Sequence, residues 1–364
     1  MNIYGITGTN GKTTTTWILR EFFGGGGLVT TVEVDTGTRR FSSGYTTPPL
    51  PVLKEIFAEM EANGLANCVM EVSSHAIHQR RTGDTVFAGC GFTNLTEDHL
   101  DYHKTMEAYF EAKADLFRRL AETNPGAPAA ICVDGDYGRR LAALCDALPL
   151  KTVRCGFTAS DPALIAAIRA TCPLVGRYNV QNVLLAAALA EAAGVPRAAV
   201  LAKLPALTPR WGRLERVATR SAAEVFVDYA HTDDALANVL STVKEFAQGR
   251  VWAVFGAGGD RDTRKRPLMG AAAARFADRL VVTSDNPRSE DPNAIIAQIV
   301  AGIPPGVVYV VEPDRRAAIH LALAQARKGD VVVVCGKGHE TTQTIGRQVL
   351  PFDDREVCAA YAGA

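Results

Sequence analysis

A glycine-rich turn near the start of the chain carries the residue types needed to bind a phosphate group. It contains Gly8, Thr9, Asn10, Gly11, Lys12, Thr13 and Thr14. In such a turn, backbone N–H groups bind the anion, the lysine contacts the terminal phosphates, and a threonine hydroxyl can hold Mg²⁺. Ile6 stands where the strict G-x-x-x-x-G-K-[ST] pattern requires glycine. The lysine and the threonine run nevertheless favour a phosphate site over an ordinary strand-to-helix connection.

Further polar clusters recur along the chain, most of them after an apolar run. The first half contains Glu71, Ser73, Gln79 and Arg81, then the run 93–103 with His99, and then Lys113. The second half contains the clusters 228–232, 256–262, 285–288 and 336–340. In an open parallel sheet, ligands bind at the carboxyl ends of the strands. The clusters are therefore predicted to line binding sites.

The elements that position these clusters are predicted from apolar runs that alternate with helical patterns. In the first half the expected strands are 3–6, 68–72, 91–95 and 129–133, and the expected helices are 51–64, 105–121 and 182–193. The segment 204–212, which contains two prolines and a glycine, is predicted to be a linker. After it the pattern restarts with strands 225–227, 251–255, 280–283 and 331–334 and helices 233–246 and 267–276. This alternation predicts two α/β domains, 1–208 and 209–364.

Composition bounds the function classes. The chain has 364 residues, 47% hydrophobic and 21% charged, with 39 Lys+Arg balancing 39 Asp+Glu. These values are typical of a globular protein and give no electrostatic indication of a nucleic-acid or membrane partner. The eight cysteines form no C-x-x-C pair, which indicates reduced thiols and a cytoplasmic protein. We find no signal peptide or membrane-spanning pattern.

The loop variant Thr-Gly-Thr-Asn-Gly-Lys-Thr resembles that of the ATP-dependent Mur ligases and the related folylpolyglutamate synthetases. The ordered set of clusters is most similar to the MurE group, which adds the third amino acid to the peptidoglycan stem peptide. The resemblance covers nearly the whole chain. It implies a central ATP-binding domain with a mostly parallel sheet, followed by a Rossmann-like C-terminal domain. It also implies that ATP converts a carboxylate into an acyl phosphate, which an amine then attacks.

The resemblance assigns the catalytic and nucleotide-binding roles. Lys12 and the loop amides would hold phosphates, Thr13 one Mg²⁺, and Glu71 with His99 a second Mg²⁺, while Lys113 would carry a CO₂-derived carbamate. The nucleotide would contact Asn179, Asn182, Arg213, Asp228 and His231. Structural alternatives remain open: His99 capping Asp98 or a backbone carbonyl, Lys113 as a solvated lysine paired within its helix, Asn179 as an N-cap, and Arg213 as a surface ion-pair partner.

The substrate residues also follow from the resemblance. In members that use meso-diaminopimelate, the arginine of Asp-Asn-Pro-Arg binds the distal carboxylate, and Arg288 stands at that position. The other residues implied around this amino acid are Arg261, Asp285, Asn286, Gly336 and Glu340, with Glu340 receiving its distal ammonium. Those implied for the muramoyl-dipeptide acceptor are Thr46, Thr47, Ser73, Gln79 and Arg81. A simple surface turn at 285–288 is the structural alternative.

The sequence departs from the family in two places. We recognise no counterpart of the N-terminal domain that binds the uridine nucleotide in the family. The expected enzyme is a monomer, and a separate UDP-binding domain or partner stays open. The stretch 157–173 is short where the family has extra strands.

Three other function classes stay open: a folylpolyglutamate-type ligase, a Mur-like ligase acting on a non-nucleotide peptide or small carboxylate in specialised metabolism, and an inactive nucleotide-binding module.

Overall fold

The computed structural model describes residues 1–208 and 212–363, which divide between two compact units, Met1–Thr208 and Pro209–Ala364. The predicted linker 204–212 begins as a short 3-10 turn, Leu204–Ala206, and its residues 209–211 lie outside the described residues. Each unit has its own sheet. No helix within the described ranges is both long and apolar enough to cross a membrane.

The first unit is built on an eight-stranded sheet in the order β4-β3-β2-β5-β1-β6-β7-β8. The pairs β2–β3 and β3–β4 are antiparallel, and the others are parallel. The strands are β1 Asn2–Thr7, β2 Gly27–Val29, β3 Val34–Asp35, β4 Arg40–Phe41, β5 Asn67–Glu71, β6 Phe87–Phe92, β7 Pro128–Cys132 and β8 Lys151–Cys155. The predicted mostly parallel sheet is confirmed.

Nine helices of the first unit cover or flank this sheet. They are α1 Lys12–Phe22, α2 Leu50–Ala62, α3 Ser74–His78, α4 Leu100–His103, α5 Met106–Thr123, α6 Asp136–Asp146, α7 Pro162–Thr171, α8 Arg177–Ala192 and α9 Arg197–Lys203. Apolar residues of α5, among them Phe110 and Phe117, pack with Phe87 and Phe92 in the core. This packing fixes α5 beside the carboxyl end of β1.

The second unit contains a six-stranded sheet in the order β13-β12-β11-β14-β10-β9, in which only the β10–β9 pair is antiparallel. Its strands are β9 Glu215–Arg216, β10 Glu224–Asp228, β11 Val251–Phe255, β12 Arg279–Val282, β13 Tyr309–Val311 and β14 Val331–Cys335, and a separate hairpin pairs β15 Thr342–Ile345 with β16 Gln348–Pro351. Its helices are α10 Asp233–Phe246, α11 Lys265–Phe276, α12 Pro292–Val300, α13 Arg315–Gln325 and α14 Asp354–Ala359. This doubly wound arrangement confirms the predicted Rossmann-like α/β class.

Two local predictions were wrong. The strand predicted at 91–95 is β6, which begins at Phe87 and ends at Phe92, so that Thr93 and the following residues form a loop. Helix α8 begins at Arg177 rather than at residue 182, and its N-cap, Gly176, has no capping side chain that would mark the start in the sequence. The stretch 157–173, for which no element was predicted, holds helix α7 with Asp161 as its N-cap.

Candidate active site

The phosphate loop lies between β1 and α1. Gly8 and Gly11 have φ values of 144° and 84°, in the region that favours glycine. A Cβ added at Gly8 would lie 1.8 Å from Thr93 Oγ1, and one at Gly11 would lie 2.2 Å from Asn182 Oδ1. Both glycines are therefore required by close packing as well as by backbone conformation. Helix α1 begins at Lys12, directly after the loop, so its N-terminal N–H groups can face an anion.

The loop that follows β6 holds the phosphate loop in place. Asn94 accepts hydrogen bonds from the backbone N–H groups of Thr9, through its carbonyl at 2.9 Å, and of Asn10, through Oδ1 at 2.9 Å. Thr93 Oγ1 and Asn94 Nδ2 donate to the Asn10 carbonyl at 2.7 and 3.1 Å. The Thr9 hydroxyl shares a 3.1 Å hydrogen bond with the Tyr109 hydroxyl on α5. These contacts preorganise the loop.

Two lysines meet at one carbonyl of the phosphate loop. Lys113 Nζ donates to the Gly8 carbonyl at 2.7 Å, and Lys12 Nζ donates to the same carbonyl at 3.1 Å and to that of Thr9 at 2.8 Å. Burial lowers the pKa of Lys113 well below its usual range, and the neighbouring Lys12 cation lowers it further, against the opposing charge of Asp98. Lys113 is therefore poised to hold a neutral, nucleophilic amine.

The surroundings of Lys113 contradict the alternative of a solvated lysine. Its relative exposure is 1%, and Nζ lies 4.5 Å from the centre of the Tyr109 ring, one turn earlier on α5. Asp115, the acidic residue two positions after Lys113 on α5, instead forms an ion pair with Arg119 at 2.8 Å. The helix surface that carries Lys113 thus faces the phosphate loop because apolar neighbours on α5 bury that side.

Glu71 ends β5, and the parallel register sets it opposite Ile6 of β1, just before the phosphate loop. Its relative exposure is 1%. Its carboxylate accepts hydrogen bonds from Thr13 Oγ1 at 2.8 Å, from the Thr31 N–H at 3.0 Å and from Thr31 Oγ1 at 3.2 Å. The structure thus brings the predicted residues Thr13 and Glu71 together as neighbouring oxygen donors.

The predicted acceptor residues form a connected group beside Glu71. Thr47 Oγ1 donates to the Glu71 carbonyl at 3.0 Å and accepts from the Ser73 N–H at 3.0 Å. Arg81 donates to the Thr47 carbonyl at 3.2 Å and to Gln79 Oε1 at 2.9 Å.

Thr46 reaches the same region through Thr31, because the two hydroxyl oxygens lie 2.9 Å apart and share a hydrogen bond. Ser73 also caps α3 by accepting from the Ala76 N–H at 3.2 Å. Three predicted features, the phosphate loop, Glu71 and the acceptor group, therefore share one edge of the first sheet.

His99 lies in the loop before α4 and has a positive φ of 55°, a strained conformation for a residue with a side chain. Its Nε2 is 3.4 Å from Asp98 Oδ2, and its ring centre is 5.0 Å from that of His75. Desolvation lowers the pKa of His99, against the opposing charge of Asp98. The contact with Asp98 agrees with the structural alternative, and the neutral imidazole expected from the lowered pKa also suits a metal ligand.

On the nucleotide side of the first unit, Asn179 and Asn182 are both buried on α8. Asn182 Oδ1 accepts from Thr15 Oγ1 at 3.2 Å, and its Nδ2 donates to Asn179 Oδ1 at 3.3 Å. Asn179 itself donates to the Val175 carbonyl at 2.8 Å. The alternative that Asn179 is an N-cap is wrong, because Gly176 occupies that position.

In the second unit, Asp228 ends β10 and accepts from the N–H groups of Leu214 at 2.6 Å and Ala230 at 2.7 Å. Burial raises its pKa to about 6, against the opposing Arg213 cation and these two N–H groups. Arg213 stacks 4.7 Å over the Tyr229 ring, and His231 Nδ1 lies 2.9 Å from the Tyr229 carbonyl. The three predicted residues are therefore close neighbours, and Arg213 stacks on a ring rather than merely forming a surface pair.

The residues predicted for the amino acid follow strands β11, β12 and β14, and Arg288 forms a bridge with Ile345 of the β15–β16 hairpin. Asn286 Nδ2 donates to Glu340 Oε2 at 2.8 Å. Arg288 has a positive φ of 53°, and its Nη1 donates to the Gly259 carbonyl at 2.6 Å. A Cβ added at Gly258 would lie 3.0 Å from Arg288 Nη1 and 3.9 Å from Arg261 Cγ, so both arginines flank the same loop.

Asp285 and Gly336 are also neighbours: a Cβ on Gly336 would lie 2.4 Å from Asp285 Oδ2. Asp285 is buried, and its carbonyl accepts from Gln343 Nε2 at 2.7 Å. This buried, cross-linked geometry contradicts the alternative of a simple surface turn at 285–288. All six predicted residues therefore lie in one region of the second unit.

Two family models match the chain. One, described as the Mur ligase middle domain, matches residues 6–190, and the other, described as the Mur ligase glutamate ligase domain, matches residues 212–338. The chain belongs to the Mur ligase family. This confirms the resemblance and makes the protein an ATP-dependent ligase.

The names of similar Mur ligases specify their substrates. Proteins of Synechococcus sp. (strain WH7803) and Geobacillus thermodenitrificans are 43% and 42% identical to this chain, which covers 76% and 78% of their lengths; the matches span 98% and 99% of the chain. Both are named UDP-N-acetylmuramoyl-L-alanyl-D-glutamate–2,6-diaminopimelate ligase. A solved structure of that name has 32% identity and a TM-score of 0.62, with 98% of this chain and 77% of that chain covered.

A more distant solved structure has the same fold. The Mycobacterium tuberculosis folylpolyglutamate synthase complexed with ADP has 19% identity and a TM-score of 0.66, with 92% of this chain and 87% of that chain covered. At this identity the likeness concerns the fold alone.

The Mur ligase loop offers a fit for ATP and Mg²⁺. The two positive-φ glycines leave room for an anion where side chains would intrude. Thr13 and Glu71 supply the oxygen donors that Mg²⁺ prefers. Across residues 1–208 and 212–363, no group of three or more His, Cys, Asp or Glu side chains is arranged to hold a metal ion. A magnesium ion here would complete its shell with phosphate oxygens and water, as Mg²⁺ ordinarily does.

Four residues with clear contacts in this Mur ligase were missed by the sequence reasoning. Thr31 holds Glu71, Tyr109 joins Lys113 to the phosphate loop, and Lys337 contacts Glu340 at 3.0 Å. Arg315 donates to the Ser284 and Cys335 carbonyls at 3.2 and 2.9 Å, next to the two amino-acid motifs. Of these four residues, Lys337 alone had a sequence signal, because it lies inside the polar cluster 336–340. The contacts of the other three residues depend on tertiary packing.

Proposed function

We propose that this Mur ligase joins meso-diaminopimelate to the D-glutamate carboxylate of a muramoyl-dipeptide acceptor during peptidoglycan synthesis. ATP phosphorylates the acceptor carboxylate, and the acyl phosphate is attacked by an amine of diaminopimelate with loss of phosphate. The observation that carries the proposal is the convergence of the phosphate loop, Glu71 and Lys113 at one sheet edge. The names of relatives with 42–43% identity support the choice of acceptor and amino acid.

The first step uses positioning and charge neutralisation. The loop N–H groups and the N-terminus of α1 bind the phosphates, and Lys12 leaves the Gly8 and Thr9 carbonyls to contact the β and γ phosphates. The nucleotide is contacted by five further polar side chains: Asn179, Asn182, Arg213, Asp228 and His231. Magnesium would be held by Thr13 at one site and by Glu71 and His99 at a second, where it would neutralise the charge of the phosphates.

Lys113 carries a carbamate in the active enzyme. Its neutral amine attacks CO₂, a new N–C bond forms, and one proton is released to water. The product is an anion at a position where the unmodified side chain is a neutral amine or a cation. The burial of Lys113 and its lowered pKa support this chemistry, because only the neutral amine is nucleophilic. The carbamate would help to orient the second Mg²⁺.

The acceptor and the amino acid are recognised by different units. The peptide of the acceptor binds the group formed by Thr46, Thr47, Ser73, Gln79 and Arg81 on the first unit. Diaminopimelate binds the second unit, where Arg288 contacts the distal carboxylate and Arg261 flanks it. The roles of Asp285, Asn286 and Gly336 are to shape this pocket, and that of Glu340 is to receive the distal ammonium.

We further propose that the domains 1–208 and 209–364 serve ATP and amino-acid binding respectively, and that the enzyme is a cytoplasmic monomer. All eight cysteines are free, and seven of them are buried, which supports a reducing compartment. Supply of ATP in the cytoplasm agrees with this location.

A carbamate test separates this mechanism from a ligase that uses an unmodified lysine. Lys113→Ala should lose most ADP release, and acetate or formate should restore part of it by supplying the absent oxygens. In the wild-type enzyme, ¹³C-bicarbonate should give a carbamate NMR signal that Lys113→Ala lacks. An active wild-type enzyme without that signal, and a variant that short carboxylic acids fail to rescue, would refute the role of the carbamate.

A further inference from the structure

Lys337 is a buried cation inside the amino-acid region. Its relative exposure is 0%, and its Nζ lies 3.0 Å from Glu340 Oε2 and 3.3 Å from Asn286 Oδ1. Asn286 Nδ2 donates to the same Glu340 oxygen at 2.8 Å. Lys337 and Asn286 therefore both donate to Glu340 Oε2, and one of these two donors is a cation of the protein itself.

The backbone around Lys337 leaves it little freedom to move away. Gly336 before it has a φ of 117°, and Gly338 after it has a φ of 54°. Added Cβ atoms would lie 2.4 Å from Asp285 Oδ2 at Gly336 and 2.7 Å from Tyr229 Cβ at Gly338. The backbone of the residue is thus held between two close approaches, and its buried side chain places the ammonium beside Glu340.

Arg288 belongs to the same connected region. The N–H of Thr344 donates to Asn286 Oδ1 at 2.9 Å, and the Thr344 carbonyl accepts from the Arg288 N–H at 3.1 Å. Arg261, Arg288 and Lys337 supply three positive charges to this region. Asp285 and Glu340 supply two negative charges, so these five side chains carry an excess of one positive charge.

We propose that Lys337 is a specificity-determining residue, which partly neutralises Glu340 so that the site selects an amino acid with a distal carboxylate and rejects one with a distal ammonium alone. The inference rests on the proposed function. Diaminopimelate presents both groups at its distal end, whereas lysine presents only the ammonium. A second ammonium in a region that already has excess positive charge is repelled, while a carboxylate is attracted.

The chain offers a charge-swap test in the intact enzyme. Removal of Lys337 alone, in Lys337→Met, leaves Glu340 without its cation and should favour a distal ammonium. The ratio of kcat/KM for diaminopimelate to that for lysine should fall at least tenfold. Glu340→Gln alone increases the excess of positive charge, so this ratio should not fall below that of the wild type.

The double variant Lys337→Met/Glu340→Gln removes one charge of each sign and should return the ratio towards the wild-type value. A purely structural role for Lys337 would not be rescued in this way. Lys328→Met, at an exposed lysine of the same unit, is the matched control and should leave the ratio unchanged. All variants are assayed by ADP release with ATP, Mg²⁺ and the acceptor held constant.

The outcomes separate this inference from the proposed function. A wild-type enzyme that uses neither amino acid overturns the proposed function and the inference with it. A wild type that prefers diaminopimelate, together with a Lys337→Met variant of unchanged ratio, overturns the inference alone. If Lys337→Met does not fold, the other two variants decide. The inference is then overturned if the ratio of kcat/KM for diaminopimelate to that for lysine falls below the wild-type ratio in Glu340→Gln, or if it stays well below the wild-type ratio in the double variant.

Discussion

Replacement of Lys113 by methionine should stabilise the protein at neutral pH while abolishing its activity. Methionine has similar length and can occupy the same space without leaving a cavity. The variant loses the hydrogen bond to the Gly8 carbonyl, worth about 0.5–1.5 kcal/mol. It also avoids the cost of burying a lysine beside Lys12, which must either lose its proton or remain a desolvated cation and so costs several kcal/mol. The net gain in the free energy of unfolding should be about 1–3 kcal/mol near pH 7.

The pH dependence of this gain follows from the lowered pKa of Lys113. The unfolded chain binds the proton more tightly than the folded chain, so protonation disfavours folding at every pH below the unfolded pKa of about 10.4. The cost in the wild type is greatest below the folded pKa and disappears as the pH rises towards the unfolded value. The advantage of Lys113→Met should therefore shrink between pH 7 and pH 10.

Thermal unfolding in CO₂-depleted buffer measures this effect, because depletion keeps the wild-type amine unmodified. For a unit of this size, about 1 kcal/mol corresponds to roughly 2–4 °C in Tm. Lys151→Met changes an exposed lysine of the same unit and is the matched control. A Lys113→Met variant that is less stable than the wild type at pH 7, or whose advantage is constant with pH, would refute the assignment of Lys113 as a costly buried amine.

Three other changes test separate parts of the site. Lys12→Ala should abolish ATP turnover with little change in Tm, because Lys12 donates to carbonyls of the phosphate loop and is not part of the apolar core; normal ADP release by the folded variant would contradict the phosphate role. Arg288→Ala should lose roughly 2–5 kcal/mol of diaminopimelate recognition, measured as kcat/KM, and an unchanged value would exclude the carboxylate contact. The raised pKa of Asp228, about 6, makes its ionisation costly in the folded state. The stability of the wild type relative to Asp228→Asn should therefore decrease as pH rises from about 4 to 6, and denaturant titrations that show an increase would be inconsistent with a buried carboxyl.

Features encoded in local sequence were predictable. The phosphate loop, Glu71 and Asp228 were found because short apolar runs followed by polar residues indicate strand ends in a parallel sheet. The register of neighbouring strands then brings such ends together without further information. For this reason the α/β class followed from the sequence, whereas the roles of Thr13 and Glu71 came from the family resemblance and their direct hydrogen bond was not predicted.

Element boundaries were less predictable where glycine or polar residues weaken the pattern. Strand β6 contains Gly89 and Gly91, which pack under Leu189 and so lack the side chains that signal a strand. Helix α8 opens with a polar first turn after Gly176, so no capping side chain marks its start.

Tertiary contacts account for the remaining omissions. Lys113 has the sequence context of an exposed helical lysine, and only the packing of α5 against the phosphate loop buries it. Thr31 follows the short strand β2 and reaches Glu71 across 40 residues of chain. Arg315 lies at the start of α13, where its sequence context gives no sign of its contacts with two strand ends.

The transfer of oxygen from the acceptor to phosphate tests the central claim most directly. The acceptor is prepared with ¹⁸O in its D-glutamate carboxylate and incubated with the enzyme, ATP, Mg²⁺ and diaminopimelate, and the released phosphate and the peptide are analysed by mass spectrometry. An acyl phosphate requires one ¹⁸O atom in each phosphate released, together with an amide product that contains diaminopimelate. Unlabelled phosphate, or release of AMP and pyrophosphate in place of ADP, would contradict the proposed ligase mechanism.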